Sequence, residues 1–282
     1  MSYRDTYEKW LNSPALSEAE KAELRAIAGD EKEIESRFFA PLDFGTAGLR
    51  GTMCVGLHQM NVHVIRHATQ AFAEVILAEG PEAVKKGVAV CHDCRNHGRE
   101  FAEEVCAVMA GNGIPTRIFD ALRPTPEVSF AIREYGCIAG VNVTASHNPK
   151  EYNGYKVYWA DGAQLPPHHA DAIAKKMGEL DIFDSIKRMD FAAAVKAGLV
   201  TIMGAETDEA FLSQVMEQAT DKTVVAKVAD KFKIVYTPFH GTGYKLIPEA
   251  LKRLGMKHVI CEPEQMVIDG NFPTVASPNP EN

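Results

Sequence analysis

The sequence contains no apolar run of the roughly 18 residues that a membrane-spanning helix requires. It also lacks an excess of positive charge, since 30 Lys and Arg residues stand against 38 Asp and Glu residues, a formal net charge of −8 at pH 7. Because nucleic-acid phosphates are bound by basic surfaces, this balance argues against a nucleic-acid partner. The polar N-terminal residues 1–5 show no secretory signal. We therefore expect a cytoplasmic protein with no membrane partner.

Cysteine is also scarce, with six residues in a chain of 282. That number is too small for a disulfide-based fold of this length, so we expect reduced cysteines that serve mainly as small core residues. Only Cys91 and Cys94, in Cys-His-Asp-Cys, have a spacing typical of metal or redox sites. A structural zinc site requires a second pair of ligands, and the other cysteines stand singly. The end of a buried strand is the simpler interpretation of this segment.

The composition, with 46% hydrophobic and 24% charged residues, is typical of a globular protein, and the length suggests about two domains. Residues 1–40 carry helical signals, including a capping box at Ser17-Glu-Ala-Glu20, and we predict a helical N-terminal extension there. Residues 41–200 and 201–282 are predicted to form two successive α/β domains. The junction is expected among the acidic and small residues between about 180 and 205.

Amphipathic helical segments alternate with short apolar segments along the first predicted domain. Helices are expected over residues 64–79, 99–110 and 127–134, and strands over residues 87–91, 114–119 and 137–143. This alternation predicts parallel strands joined by right-handed crossover helices. In the second predicted domain, strands are expected over residues 233–236 and 258–261, on either side of a helix. The predicted fold class is α/β, with two successive domains built on mixed or parallel sheets.

The segment Val143-Thr-Ala-Ser-His-Asn-Pro149 places a hydroxyl, an imidazole and an amide directly after a predicted buried strand. Ligand sites of α/β sheets lie beyond the carboxyl ends of their strands, so Ser146 is a candidate nucleophile or phosphate carrier. The alternative is a strand-to-turn cap, in which Ser146 and Asn148 bond their own backbone. The Gly-x-Ser-x-Gly motif of serine hydrolases is absent. His147 is not expected to act as the base of Ser146, because successive side chains diverge in extended backbone.

Two further segments contain residues suited to binding phosphate. Asp43-Phe-Gly-Thr-Ala-Gly-Leu-Arg-Gly51 combines glycines with Thr46 and Arg50. Glycine lets the backbone approach an anion, and a guanidinium binds phosphate through paired hydrogen bonds, although a simple turn is the alternative. Asn153-Gly-Tyr-Lys156 places Lys156 near the start of a strand. This lysine is either solvated or able to neutralise a phosphoryl group and carry a proton.

Together these segments resemble one family, the α-D-phosphohexomutases, which comprise the phosphoglucomutases and phosphomannomutases. The resemblance extends from about residue 40 to the last residue, and the glycine-rich opening is similar to that of the phosphoglucomutase branch. It rests on segments that occur in the family's order: Phe44-Gly-Thr-Ala-Gly-Leu-Arg-Gly51, Thr144-Ala-Ser-His-Asn-Pro149, Asn153-Gly-Tyr-Lys156, Tyr236-Thr-Pro-Phe-His-Gly-Thr-Gly243, and Asp269-Gly-Asn-Phe-Pro-Thr-Val275 running into Pro278-Asn-Pro-Glu281.

The resemblance implies a role for each matching residue. Ser146 corresponds to the serine that is phosphorylated in the resting enzyme, and one phosphoserine oxygen binds Mg²⁺. His147 corresponds to the histidine that helps to order the site. Arg50 and Lys156 correspond to the two cations around the reacting phosphoryl group, and Lys156 is the better candidate for acid–base work. Thr46, Arg50 and Lys156 are expected to contact the substrate.

The activity that the resemblance implies is that of a phosphoglucomutase acting on a hexose phosphate. The phosphoserine gives its phosphoryl group to glucose 1-phosphate, and the glucose 1,6-bisphosphate that forms turns over in the site. The other phosphoryl group then returns to the serine, and glucose 6-phosphate is released. Such a transfer requires mainly in-line placement and cations on the phosphoryl oxygens, which suits a serine without a catalytic triad.

Several alternatives stay open at this point. The substrate is alternatively mannose 1-phosphate or a pentose 1-phosphate, as in a phosphomannomutase or a phosphopentomutase. A rival from another class is a non-catalytic phosphosugar-binding module that keeps the fold. His240, in the segment Pro-Phe-His-Gly-Thr-Gly, is either a packing residue or part of the cleft between the domains.

One part of the family pattern is missing. The metal loop Asp-Gly-Asp-Gly-Asp-Arg, which supplies three carboxylates to Mg²⁺ in the family, does not occur in the sequence. Mg²⁺ requires near-octahedral oxygen coordination, which a single phosphoserine cannot provide. We therefore expect an incomplete second domain and a chain that folds without catalysing turnover. Its expected partners are the missing C-terminal domains of the same protein.

Overall fold

Three short helices form the N-terminal segment of the chain. The computed structural model describes residues 2–279 and 281, and the first helices are α1 (Tyr3–Leu11), α2 (Glu18–Ala26) and α3 (Glu31–Phe38). The predicted capping box is confirmed, because the Ser17 side chain accepts a hydrogen bond from the Glu20 amide and the Glu20 carboxylate accepts one from the Ser17 amide at 2.7 Å. Each partner thereby satisfies a backbone amide that the helix itself leaves free.

These helices pack onto the rest of the first unit rather than standing apart from it. Trp10 is only 1% exposed and lies edge-on to Phe38 and Phe183, at ring-centroid distances of 5.7 and 5.1 Å. Arg37, on α3, donates to the carbonyl oxygen of Val55 at 3.2 Å. The N-terminal segment therefore shares one hydrophobic core with the sheet that follows.

A six-stranded sheet with helices on both faces follows. In chain order the elements are β1 (Leu49–Thr52), α4 (Val62–Ala78), α5 (Pro81–Lys86), β2 (Val88–His92), α6 (Gly98–Gly111), β3 (Thr116–Phe119), α7 (Thr125–Glu134), β4 (Ala139–Val143), β5 (Tyr152–Trp159), α8 (Pro167–Glu179), α9 (Phe191–Lys196) and β6 (Val200–Met203). The strand order is β1-β5-β4-β2-β3-β6, and β4, β2, β3 and β6 run parallel. The alternation of helices and parallel strands predicted from the sequence is confirmed.

The two faces of the sheet are covered by different helices. Val88 and Val90 of β2 pack into the same core as α4 and α6, whereas Ala89 and Cys91 pack against α7. This division follows from the alternation of side chains along a strand. Helix α4 has 17 residues, and no helix in residues 2–279 is long and apolar enough to cross a membrane.

Strands β5 and β1 run antiparallel to their neighbours. Val157 of β5 lies opposite Val141 of β4, and Arg50 of β1 lies opposite Gly154 of β5. The loop that joins β4 to β5 is too short for a crossover connection, so the chain must return antiparallel. The sheet is therefore mixed, in agreement with the predicted fold class.

Strand β6 extends the first sheet beyond the predicted domain limit. Residues 200–203 pair in parallel with β3, and Ile202 lies opposite Ile118. The limits of 1–40, 41–200 and 201–282 stay predictions, but the second limit cuts this strand. In the structure, the residues up to 203 belong to the first sheet.

The second α/β unit contains a two-stranded parallel sheet. Its elements are α10 (Ala205–Glu217), α11 (Lys222–Val228), β7 (Lys233–Tyr236), α12 (Gly243–Arg253) and β8 (His258–Cys261). Both strands occupy the predicted residues. Val235 and Ile260 leave 75% and 53% of their surface exposed, so one face of this small sheet is open among the described residues.

Candidate active site

Ser146 lies in the loop that follows β4, at the carboxyl edge of the parallel strands. Its side chain is exposed, and its φ of 59° lies in the left-handed region that residues other than glycine rarely adopt. The position agrees with the one expected from the sequence. Because ligands of α/β proteins bind at this edge of the sheet, the hydroxyl is accessible where chemistry is expected.

A hydrogen-bond relay connects the start of this loop to the neighbouring strand. Asp93 follows β2 directly, and its carboxylate accepts hydrogen bonds from the Thr144 hydroxyl and, at 2.9 Å, from the Arg95 amide. The Ser146 amide in turn donates to Thr144 Oγ1 at 3.0 Å. Burial raises the pKa of Asp93, and the hydrogen bonds from Thr144 and Arg95 oppose that change. The backbone of Ser146 is thus tied to the end of β2.

His147 contacts the hydroxyl of its neighbour. The imidazole is exposed, and its Nδ1 lies 3.3 Å from Ser146 Oγ. The expectation that these two side chains diverge is wrong, because it assumed extended backbone and Ser146 has a positive φ. His147 is therefore positioned to exchange a hydrogen bond with the Ser146 oxygen.

Arg50 and Lys156 lie on the antiparallel strands β1 and β5, which pair with each other beside β4. Arg50 donates from Nη1 to Asn148 Oδ1 at 2.8 Å. Lys156 is half-buried, and burial followed by the positive charge of Arg50 lowers its pKa, whereas Asp93 opposes this shift. A lowered pKa makes a lysine a better proton carrier near neutral pH. The structure thus brings Arg50 into contact with the Ser146 loop and places Lys156 near Arg50 and Asp93, and neither cation is among the described residues that line the cleft.

Thr46 is exposed in the turn that precedes β1, and among the described residues its side chain makes no hydrogen bond to the Ser146 loop. Its predicted contact with substrate stays a prediction. The glycines of this turn have a structural reason instead. Gly48 has a φ of 77°, and a Cβ atom there would stand 1.8 Å from the carbonyl oxygen of Tyr155. A side chain at position 48 would therefore push the turn away from β5.

The Ser146 loop opens onto a cleft of about 540 Å³ between the two α/β units. This volume lies within the roughly 300–1,000 Å³ of small-molecule sites. The first unit contributes Asp93, Cys94, Arg123, Pro124, Thr125, Asn142, Thr144, Ser146 and His147, and the second contributes Tyr236, Thr237, Pro238, Phe239, Gly241, Thr242, Gly243, Ile247, Phe272 and Pro278. The cleft is polar on the first side and more apolar on the second.

His240 is a packing residue rather than part of the cleft wall. It is 1% exposed, and its Nδ1 lies 2.7 Å from the carbonyl oxygen of Val267 while its Nε2 lies 2.8 Å from Thr274 Oγ1. Both ring nitrogens are therefore engaged within the second unit. The imidazole connects the turn before α12 to the segment that supplies Phe272 to the cleft.

Two family models match most of the chain. Residues 41–182 match the phosphoglucomutase/phosphomannomutase alpha/beta/alpha domain I, and residues 209–282 match domain II of the same family. The chain belongs to the phosphoglucomutase/phosphomannomutase family. The resemblance stated from the sequence motifs is confirmed.

Individual members of this family support the same assignment. A phosphoglucomutase of Staphylococcus saprophyticus is 34% identical over 253 residues, which cover 89% of this chain and 44% of that protein. A phosphopentomutase of Homo sapiens is 32% identical over 280 residues, which cover 97% of this chain and 45% of that protein. The crystal structure of parafusin, a phosphoglucomutase from Paramecium in its open form, shares the fold with a TM-score of 0.63 at 19% identity, over 83% of this chain and 45% of that chain. The chain spans about half the length of the curated relatives it matches.

The magnesium ion that the family implies does not find its ligands among the described residues of this chain. Within residues 2–279 and 281, no three His, Cys, Asp or Glu side chains come together in a group suited to a metal. The Asp93 carboxylate, which lines the cleft, already accepts hydrogen bonds from Thr144 and Arg95. Mg²⁺ prefers six oxygen ligands, and Ser146 supplies one. Binding of Mg²⁺ by Ser146 therefore stays a prediction.

Asp93 and Arg95 are the members of the site that the sequence interpretation missed. They lie in Cys91-His-Asp-Cys94-Arg95, a segment that was interpreted only through the spacing of its cysteines. Cys91 is buried in β2 and donates from Sγ to the carbonyl oxygen of Arg123 at 3.2 Å, and burial raises the pKa of the Cys94 thiol to about 12. The strand-end interpretation of the cysteines thus agrees with the structure. Their position directly after a predicted parallel strand is the signal that could have identified this Asp and this Arg as site residues.

Proposed function

We propose that this chain carries the phosphoserine site of a phosphosugar mutase, with Ser146 as the residue that accepts and returns the phosphoryl group. The observation that supports this most directly is the exposed, left-handed Ser146 at the carboxyl edge of the sheet. Its loop accepts a hydrogen bond from Arg50 and opens onto a cleft of suitable size. A serine buried under packed neighbours would have been incompatible with the proposal.

Each polar group around Ser146 has a task in this chemistry. Phosphoryl transfer passes through a loose transition state, so the protein contributes mainly alignment and positive charge. Arg50 supplies a fixed positive charge at the loop. Lys156, whose pKa is lowered by burial, accepts the proton of the attacking sugar hydroxyl and returns it in the second transfer. His147, 3.3 Å from Ser146 Oγ, hydrogen-bonds the serine oxygen as it leaves phosphorus.

Glucose phosphates are the proposed substrates, with glucose 1,6-bisphosphate as the intermediate that recharges the serine. A phosphoglucomutase is among the relatives at 34% identity. A phosphopentomutase at 32% identity makes a pentose phosphate the second candidate. The reacting phosphoryl group and its cations are common to both, and only the sugar differs.

Transfer of a phosphoryl group to Ser146 is the direct test. The chain is incubated with glucose 1,6-bisphosphate and Mg²⁺, and its intact mass is followed with time. We expect the mass of one phosphoryl group to appear and peptide mapping to locate it on Ser146. Ribose 1,5-bisphosphate is tested in parallel, and the sugar that labels faster identifies the preferred substrate class.

Two variants control this experiment. Ser146→Ala is expected to remain unlabelled with either bisphosphate. Ser213→Ala removes an exposed hydroxyl from α10 and is expected to label as the unaltered chain does. If the unaltered chain takes up no phosphoryl group from either donor, or if Ser146→Ala is labelled as fast, Ser146 is not the carrier. A non-catalytic phosphosugar-binding module is then the better description.

A further inference from the structure

The side chain of Arg95 binds the backbone of the Ser146 loop. Its side chain is fully buried, and its two terminal nitrogens donate to four carbonyl oxygens of the loop. Nη2 donates to Ser146 O at 3.0 Å and Asn148 O at 2.6 Å, and Nη1 donates to Pro149 O at 2.8 Å and Tyr152 O at 2.9 Å. One side chain thus binds three carbonyl groups of the loop between β4 and β5 and a fourth at the first residue of β5.

The shape of this contact requires a guanidinium. A planar fork with five N–H groups can address several acceptors in fixed directions, whereas a lysine ammonium is a compact charge with three rotating donors. The remaining nitrogen, Nε, lies 3.4 Å from Asp93 Oδ2, so the buried charge has a counterion. Asp93 is also the acceptor for Thr144, which holds the Ser146 amide. Arg95 and Asp93 therefore hold the carbonyl and amide sides of the same loop.

The backbone of Ser146 needs such support. A φ of 59° brings the Cβ of an L-residue close to its own backbone, and such a conformation persists only where the surroundings determine it. Thr144 holds the amide of Ser146, and Arg95 holds its carbonyl oxygen. These two bonds fix the peptide groups on both sides of the residue. The direction of the Ser146 side chain is set as a consequence.

The other side of Arg95 faces the second α/β unit. Its Cζ lies 5.6 Å from the ring centroid of Phe272, which is 6% exposed. Gly270 approaches the same turn so closely that a Cβ atom there would stand 2.7 Å from the Asn96 amide nitrogen. Asn96 also accepts a hydrogen bond from Asn153 through its carbonyl oxygen, at 3.1 Å. The guanidinium therefore lies between the serine loop and a segment of the second unit.

We infer that Arg95 is a positioning residue, which holds Ser146 in its left-handed conformation and so aims the hydroxyl into the cleft. The guanidinium does this through the four loop carbonyls, and Phe272 covers its far face. The consequence for phosphoryl transfer rests on the proposed function, but the consequence for the loop does not.

Hydrogen exchange and single-turnover labelling test the two consequences separately. Arg95→Lys keeps the buried positive charge and loses the fork, and it is compared with Arg99→Met. Arg99 is a matched control on α6 that donates to the carbonyl oxygens of Phe119 and Asp120 and does not contact the Ser146 loop. Amide exchange is measured by mass spectrometry in the peptide 144–153. The labelling rate of Ser146 is measured against the glucose 1,6-bisphosphate concentration.

In Arg95→Lys we expect exchange in peptide 144–153 to accelerate by about tenfold or more, with peptide 88–92 unchanged. The maximal labelling rate is expected to fall by about tenfold or more, with the half-saturating bisphosphate concentration within about twofold of the original, because the hydroxyl is misaligned while the cleft is intact. Arg99→Met is expected to leave both measurements unchanged.

Other outcomes count against the inference. Exchange and labelling at the rates of the unaltered chain would show that the Ser146 loop keeps its conformation without the guanidinium. Exchange that accelerates equally in both peptides, with labelling reduced only by the unfolded fraction, would make Arg95 a general stabilising residue. If the unaltered chain is not labelled, the proposed function fails, and the exchange of peptide 144–153 alone decides whether Arg95 holds the loop.

Discussion

Glu127, near the start of α7, is a buried carboxyl group in a charged cluster between the two α/β units. It is fully buried, and among the described residues neither of its carboxyl oxygens has a hydrogen-bond partner as an ionised acceptor. Arg123 lies 3.7 Å away, but it donates instead to the Asp208 carboxylate at 2.6 and 3.0 Å, and Lys245 donates to the same carboxylate at 2.5 Å. Burial first, and then the neighbouring Asp208, raise the pKa of Glu127 to about 8. We therefore expect a protonated Glu127 that donates to Asp208.

The change Glu127→Gln should stabilise the protein more as the pH rises. A carboxyl group whose folded pKa is raised gives its full contribution below the unfolded pKa of 4.5, and loses it as the pH rises towards the folded pKa of about 8. Glutamine does not titrate and retains a donor for Asp208. At about 1.4 kcal/mol per pH unit, the advantage of Glu127→Gln in the free energy of unfolding should grow by about 3 kcal/mol between about pH 5 and pH 8.

Urea unfolding of the variant and the unaltered chain, followed by circular dichroism at both pH values, measures this difference. Comparing the two proteins at each pH cancels the titration of all other groups. Glu134→Gln, at the exposed end of the same helix, is the matched control and should show no such pH dependence. If the advantage of Glu127→Gln is the same at both pH values, Glu127 is ionised in the folded protein and pairs with Arg123. The argument from burial is then refuted.

Three further changes test other parts of the structure. Gly48→Ala places a methyl group against the Tyr155 carbonyl oxygen at a positive φ, so it should lower the free energy of unfolding by about 2 kcal/mol or more, and an unchanged melting temperature would contradict the close approach. Trp10→Ala should lower it by about 3–5 kcal/mol in the same measurement, whereas Phe39→Ala, at a side chain 57% exposed, should change it little; equal effects would show that α1 does not share the core. Lys156→Ala should slow labelling of Ser146 by about a hundredfold with little change in melting temperature, and a collapse of that temperature instead would make the lysine structural.

The helices and strands could be predicted from local sequence patterns, because these patterns match the way each element packs in the structure. The predicted helix at 64–79 lies at Val62–Ala78, and strands β7 and β8 occupy the predicted residues, because their apolar periodicity matches the face that each element buries. Strand β6 was not predicted from the sequence, and the predicted domain limit falls within it. It has only four residues, Val200-Thr-Ile-Met203, and its partner β3 lies in a distant part of the sequence, so local patterns could not reveal the pairing.

The sequence predicted several residues of the site, but it did not predict which of them contact one another. The motif around Ser146 indicated a strand-to-loop transition. Arg50 reaches that loop only because β1 pairs with β5, which itself pairs with β4, and this pairing could not be read from the motif. Thr46 shares a motif with Arg50, yet it lies in the turn before the strand. The course of that turn depends on Gly48, which has a positive φ and lies close to β5. A shared motif therefore does not imply a shared contact.

The contact between Ser146 and His147 shows where sequence reasoning reached its limit. Adjacent side chains diverge in extended backbone, and nothing in the loop sequence announces a left-handed serine, since neither Ser146 nor a neighbour is glycine. The φ of 59° depends on hydrogen bonds from outside the motif, with Thr144 held by Asp93 and the loop carbonyls held by Arg95. The two outside residues lie some fifty positions earlier in the chain, as the 51-residue separation of Arg95 from Ser146 shows. The approach of imidazole to hydroxyl is therefore a property of the packed sheet edge, and it should disappear when the guanidinium does, even though every residue of the motif is still present.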